Sequence, residues 1–133
     1  MAKISIVGSG SWGTALARAL IRNGHHVVLY GRNAELLDDI HRSGYNEMYL
    51  PGVKLPDNLA LTGSIAEAVH FGTVLVMAVP SHAFRQTLQA VAAVASRPGM
   101  HLVSVTKGIE TDSLKTMAAV TEEVLAGRAF HFT

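Results

Sequence analysis

The opening of the chain limits its fold more than any other stretch. Lys3-Ile-Ser-Ile-Val7 is a short apolar run, Gly8-Ser-Gly10-Ser-Trp-Gly13 is a glycine turn, and Thr14-Ala-Leu-Ala-Arg-Ala-Leu-Ile21 has the composition of a helix. Glycines at GxGxxG spacing are common by chance, but between a strand and an Ala/Leu-rich helix they form a dinucleotide-binding fingerprint. Gly8 allows the sharp exit from the strand, Gly10 lacks the Cβ that would hold the backbone away from a pyrophosphate, and Gly13 lets the helix pack closely on the sheet. Free N–H groups at the helix N-terminus, reinforced by the helix dipole, bind an anion there without a lysine. Ser11 and Trp12 occupy that first turn. Their amides are candidate phosphate donors, and the Trp12 ring either flanks the ligand or covers the turn. The alternative is a strand-to-helix turn that binds nothing.

Beyond the turn, apolar runs alternate with helical patterns. Strands are expected at 4–7, 26–30, 59–61, 73–79, 101–105 and 129–132, with helices beginning at Ser11, Asn33, Ser64, Ser81 and Asp112. Such alternation means parallel pairing through crossover helices, hence an α/β, doubly wound parallel sheet of Rossmann-like type. Phe84, Leu88, Val91 and Ala95 recur at helical spacing, as do Leu16 and Leu20. Ser64-Ile-Ala-Glu67 has the form of a capping box, while Asn33, Ser81 and Asp112 are candidate N-caps. Val74 to Val79 and His101 to Val105 are almost continuously apolar, which places both at the centre of the sheet. Ser43 to Asn58, rich in Gly, Pro and Tyr, breaks the pattern as a long loop, functional or disordered.

With 133 residues, 49% of them hydrophobic and 16% charged, the chain fits one domain with a real core. A net charge of +1 with no basic tract gives no support to nucleic acid or an anionic membrane as partner. The absence of cysteine removes disulfides, thiolate catalysis and thiolate metal sites. No apolar run reaches membrane-span length and none has the form of a signal peptide, so a soluble cytoplasmic protein is expected. The seven histidines are scattered without a metal-ligand pair, and neither a GxSxG elbow nor a Walker lysine is present.

Two charged positions stand where chemistry is expected. After the second strand, Tyr30-Gly-Arg32-Asn33 occupies the place where dinucleotide enzymes read the adenosine ribose. Strict NAD binders usually present an acid there; a guanidinium instead holds a 2′-phosphate in two-pronged fashion or stacks on adenine, so NADP should be accepted. The plainer alternative is a solvated surface arginine. Lys107 directly follows an apolar strand, at a carboxyl end where open α/β sheets bind ligands, and either reaches into the crevice or is an ordinary loop lysine.

Gly8-Ser-Gly-Ser-Trp-Gly-Thr-Ala15, Asn23-Gly-His25, Tyr30-Gly-Arg32, Tyr49-Leu-Pro-Gly52, Leu55-Pro-Asp-Asn-Leu59, Val79-Pro-Ser81 and Lys107-Gly-Ile-Glu110, taken together in order and spacing, resemble the NAD(P)-dependent sn-glycerol-3-phosphate dehydrogenase family of bacterial type. The resemblance covers nearly the whole chain. It implies NAD or NADP as cofactor and reversible reduction of dihydroxyacetone phosphate to sn-glycerol 3-phosphate, feeding phospholipid synthesis, with a homodimer as a possible assembly. It also implies that Gly8, Gly10, Ser11, Trp12, Gly13, Arg32, Asn33 and Tyr49 contact the cofactor and that Lys107 touches both cofactor and substrate. Family members are more than twice as long. Their helical substrate domain, opening near a Ser-Gly-Pro-Ser segment and carrying the general acid/base lysine, is expected to be absent from residues 1–133, which leaves the nucleotide-binding domain and little activity. Two other readings are a stand-alone NAD(P)-binding regulatory module and a hydroxyacid or 3-hydroxyacyl dehydrogenase, the latter opposed by the Tyr49 to Gly52 and Lys107 to Glu110 motifs.

Overall fold

The computed structural model describes residues 1–95, 98–128 and 130–133. In chain order the elements are β1 (Lys3–Val7), α1 (Ser11–Arg22), β2 (His26–Tyr30), α2 (Ala34–Ser43), β3 (Ala60–Thr62), α3 (Ile65–Phe71), β4 (Val74–Met77), α4 (Ser81–Val94), β5 (Met100–Ser104), α5 (Met117–Val124) and β6 (Phe130–Phe132). Every strand pair is parallel, in the order β3-β2-β1-β4-β5-β6. This is the Rossmann strand order, and the expected doubly wound α/β fold is what the chain adopts. β1 is the strand at which the winding reverses: Val7 pairs with Tyr30 of β2 on one side and with Met77 of β4 on the other. A crevice therefore opens beyond the carboxyl ends of β1 and β4.

Two apolar layers cover the sheet. On one face Val69, Phe84, Leu88, Val91, Met117 and Val120 from α3, α4 and α5 close over Leu75, Met77 and Leu102. On the other Ala17 and Ile21 of α1 close over Ile4, Ile6, Leu29 and Val76. A smaller cluster joins Leu36 and Ile40 of α2 to Leu55. Phe84 and Leu88 are completely buried, as their helical spacing requires, but Ala92 completes the α4 stripe, and Ala95 is the C-cap. Among the described residues no helix is long and apolar enough to cross a membrane.

Several boundaries differ from the sequence expectation for identifiable reasons. The last helix starts at Met117, not Asp112, because Thr116 Oγ1 accepts the Ala119 N–H at 3.2 Å and serves as the N-cap. Asp112 instead lies in a turn that doubles back, closed by Glu110 N–H donating to Lys115 O at 2.8 Å. The cap of α4 is Pro80, with Ser81 as its first residue, whereas Asn33 and Ser64 cap as expected, with Leu36 N–H reaching Asn33 Oδ1 at 3.1 Å. The capping box at Ser64 closes through an intermediary: Glu67 N–H donates to Ser64 Oγ, but Thr62 Oγ1 accepts from Ser64 N–H and donates to the Glu67 carboxylate. β3 is shifted by one residue to 60–62, β4 is shorter than 73–79, and β5 runs 100–104. Of the expected last strand, Ala129 lies outside the described residues. β4 is central, but β5 lies one strand further out beside β6, with His101 exposed between buried Met100 and Leu102. Apolar content marks a strand as interior without giving its order.

The long loop after α2 is pinned at both ends of its turn. Gly44 ends α2 in the left-handed conformation (φ 77°), Tyr45 bridges antiparallel to Lys54, and Leu55 is buried.

Candidate functional site

The glycine turn shows why each small residue stands where it does. Gly8 has φ 126°, and a Cβ there would lie 2.5 Å from the Ala78 carbonyl oxygen. At Gly13 a Cβ would lie 1.9 Å from the Gly8 carbonyl oxygen, so α1 sits directly on the turn. At Gly10 a Cβ would meet nothing within 4 Å and would project into open space. Gly10 is also the N-cap of α1 and supplies no side-chain cap. The N–H groups of Gly10, Ser11 and Trp12 consequently have no partner among the described residues, the state in which a helix terminus attracts an anion.

Above the turn lies a cleft of 1320 Å³ at the carboxyl ends of the strands. Its walls include Gly8, Gly10, Ser11, Trp12, Arg32, Asn33, Tyr49 and Lys107, so eight of the nine sequence-expected residues converge there. Gly13 packs beneath. The exits of the strands are bound to one another: Gly8 N–H donates to Tyr30 O at 3.0 Å, Val105 N–H to Met77 O at 3.0 Å, and Thr106 Oγ1 to Val79 O at 2.7 Å. Trp12 and Tyr49 stand on the rim, 58% and 43% exposed. Asn33 Oδ1 is occupied in capping α2, which leaves its amide nitrogen for other work. Arg32 is exposed and makes no ion pair among the described residues. Among the described residues no Asp or Glu lines the cleft, while Arg32 and Lys107 both do. Two cationic side chains and an uncapped helix N-terminus, with no opposing carboxylate among the described residues, give the cleft a positive character.

Sequence reasoning left several wall residues unassigned, among them Ser9, His82, Thr87 and Thr106. Ser9, His82 and Thr106 follow β1, β4 and β5, where a parallel sheet delivers its loops, and that position is the signal that finds them; Thr87 lies within α4.

Lys107 heads a loop that an ionic cluster holds in place. Arg85 of α4 grips Glu110 with two bonds, Nε to Oε2 at 2.7 Å and Nη2 to Oε1 at 2.9 Å, and Ser113 Oγ donates to Oε1 at 2.5 Å. Glu123 of α5 accepts from Lys115 and from Arg85. The Arg85 guanidinium, and after it the Ser113 hydroxyl, hold the Glu110 carboxyl down to about 2 from its ordinary 4.5. Lys115 and then Arg85 lower Glu123, and the two carboxylates raise Arg85. A depressed carboxyl stabilises the fold above its unfolded pKa, and that contribution is lost as pH falls from 4.5 through about 2. Thermal melts should therefore show Glu110→Gln less stable than the parent chain at pH 6, with the gap narrowing as the pH is lowered below 4.5. A gap independent of pH would show that the cluster acts by packing alone. The side chains of Arg85 and Glu110 keep 27% and 18% of their exposure, so solvent screening makes the effect modest.

Comparison with known proteins decides the family. Residues 3–132 match the family model described as NAD-dependent glycerol-3-phosphate dehydrogenase N-terminus. The chain belongs to this family. It is 44% identical over 124 residues to a glycerol-3-phosphate dehydrogenase [NAD(P)+] of Xanthomonas euvesicatoria pv. vesicatoria (strain 85-10), covering 92% of this chain and 36% of that protein. It is likewise 44% identical over 124 residues to the protein of that name from Anaeromyxobacter sp. (strain K), covering 37% of it. The 2.1 Å crystal structure of glycerol-3-phosphate dehydrogenase from Coxiella burnetii superposes with a TM-score of 0.85 at 29% identity, over 93% of this chain and 38% of that one. The chain thus spans little more than a third of the length of the relatives it matches.

Proposed function

We propose that residues 1–133 are the NAD(P)-binding domain of a glycerol-3-phosphate dehydrogenase, in which the cleft holds NADH or NADPH. The observation that carries this reading is a cleft walled by Arg32 and Lys107 and, among the described residues, by no carboxylate, into which the uncapped N-terminus of α1 opens. The residues present fit the dinucleotide. Gly8 makes the turn, Gly10 admits its pyrophosphate, and the Ser11 and Trp12 amides donate to it. Arg32 faces the adenosine end, where its planar fork suits a 2′-phosphate and its flat face suits adenine. Asn33 Nδ2 completes that side, and Tyr49 meets the cofactor from the rim of the cleft.

When bound, the nicotinamide supplies or accepts the hydride that interconverts dihydroxyacetone phosphate and sn-glycerol 3-phosphate. Lys107, at the end of β5, holds the substrate close to the nicotinamide by donating to its phosphate or its carbonyl oxygen. Fast turnover also needs an acid to protonate the developing alkoxide and a wall to exclude water. In the family both belong to the substrate domain, so the 133 residues should bind cofactor and turn over dihydroxyacetone phosphate negligibly.

Trp12 is the only tryptophan and stands on the rim, so its fluorescence reports occupancy directly. Titration with NADH or NADPH should give a saturable change, and no change with either at millimolar concentration would end the cofactor reading. Robust oxidation of NADPH by dihydroxyacetone phosphate with the 133-residue chain would show that the proton donor lies within this cleft.

A further inference from the structure

We infer that Asn46 is a positioning residue for the pyrophosphate, one that aims the Gly10 amide into the cleft and ties the Tyr49 turn to it. This rests on the cofactor reading above and adds a residue from the long loop after α2.

Asn46 is completely buried and fully bonded. Its Nδ2 donates to the Ser9 carbonyl at 3.0 Å and to Thr14 Oγ1 at 2.9 Å, while its Oδ1 accepts the Tyr49 N–H at 3.3 Å. Thr14 Oγ1 in turn donates to the same Ser9 carbonyl at 3.3 Å. The important partner is Ser9, because it shares a peptide plane with Gly10. In a trans peptide the C=O and the following N–H point in opposite directions, and the chain has no cis bond among its described residues. Holding the Ser9 oxygen beneath the turn therefore directs the Gly10 N–H away from Asn46 and outward, and Gly10 lines the cleft with that N–H unpartnered. Glycines flank Ser9 on both sides, and Gly8 stands at φ 126°, a conformation that residues with side chains rarely adopt. Such a turn keeps one orientation only when something fixes its carbonyl. The bond from Tyr49 means that the same side chain also sets the height of the rim.

The test uses the 133-residue chain and two probes. ADP-ribose carries the pyrophosphate, whereas 2′-AMP carries only the phosphate read by Arg32. Asn46→Asp keeps the volume, but at pH 8 its carboxylate cannot donate to Ser9, while the Thr14 hydroxyl can still turn toward it. Asn46→Ala removes all three bonds. In both variants the Kd of ADP-ribose should rise about tenfold or more, the scale of a misaligned set of charge-assisted donors, with the Kd of 2′-AMP within about twofold of the parent. Equal losses for both probes, or unchanged ADP-ribose binding by a folded variant, would overturn the inference and leave the cofactor reading intact. Failure of the parent chain to bind either probe would overturn both. If neither variant folds, amide exchange in the parent decides: ADP-ribose must slow Gly10 and Tyr49 together while 2′-AMP slows neither, and protection of Gly10 alone sinks the coupling.

Discussion

Replacing Gly13 by alanine is expected to weaken nicotinamide-dinucleotide binding about a hundredfold and to destabilise the chain, although alanine is the better helix former. By propensity alone the change in a helix interior would stabilise by about 1 kcal/mol. Here the added Cβ would stand 1.9 Å from the Gly8 carbonyl oxygen and 3.1 Å from its carbon. Both are backbone atoms of a turn wedged against Ala78, so no side chain can swing aside. The helix must retreat by more than an ångström, which costs a few kcal/mol as overpacking does and carries the Ser11 and Trp12 amides off their aim. A misplacement of that size is worth about a hundredfold in a preorganised site. Loss of that order in NADH and NADPH affinity by calorimetry, with a melting midpoint several degrees lower, is the expected result. Gly10→Ala is the control. Its φ of −75° suits any residue and its Cβ meets nothing, so stability should hold while affinity falls because the methyl occupies the place of the ligand. Binding by Gly13→Ala within about threefold of the parent would remove the glycine turn from the site.

The first thirty residues were legible because each local signal agreed with the global one. An apolar strand, a turn that only glycine can make and a helix with a small residue at its contact point can join in one way. The convergence of Arg32 and Lys107 was legible for a topological reason: parallel strands release their loops at one edge, so residues distant in sequence meet there; Tyr49, in the loop between α2 and β3, was legible only through the family resemblance. Asn46 escaped, since a lone asparagine in a Gly/Pro-rich loop looks like a turn former and its partners Ser9 and Thr14 are more than thirty residues away. The start of α5 escaped for a different reason. Asp112 and Thr116 are both capping residues, and what separates them is the reversal around Leu114 (φ 60°) held by the Arg85 to Glu110 pair. Neither partner of that pair is near the other in sequence, so local pattern could not choose.

Arg32→Ala is expected to weaken NADPH by about ten- to a hundredfold and NADH by less than about threefold. The guanidinium lies at the cleft with no carboxylate bound to it among the described residues, so it is free to meet a ligand phosphate. Two charge-assisted bonds to a 2′-phosphate contribute about 1.5–3 kcal/mol, whereas stacking on adenine is common to both cofactors and smaller. Because the side chain is exposed and unpaired, its loss should move the melting midpoint little. Raising the salt should weaken NADPH more than NADH in the parent chain and should weaken the two alike in the variant, as a screened charge contact to the 2′-phosphate requires. Arg32→Asp carries the argument to its opposite sign. A carboxylate at the end of β2 repels the 2′-phosphate and accepts the ribose hydroxyls, so the preference should invert toward NADH. Equal losses of NADH and NADPH in Arg32→Ala would assign the guanidinium to the adenine face and away from any 2′-phosphate.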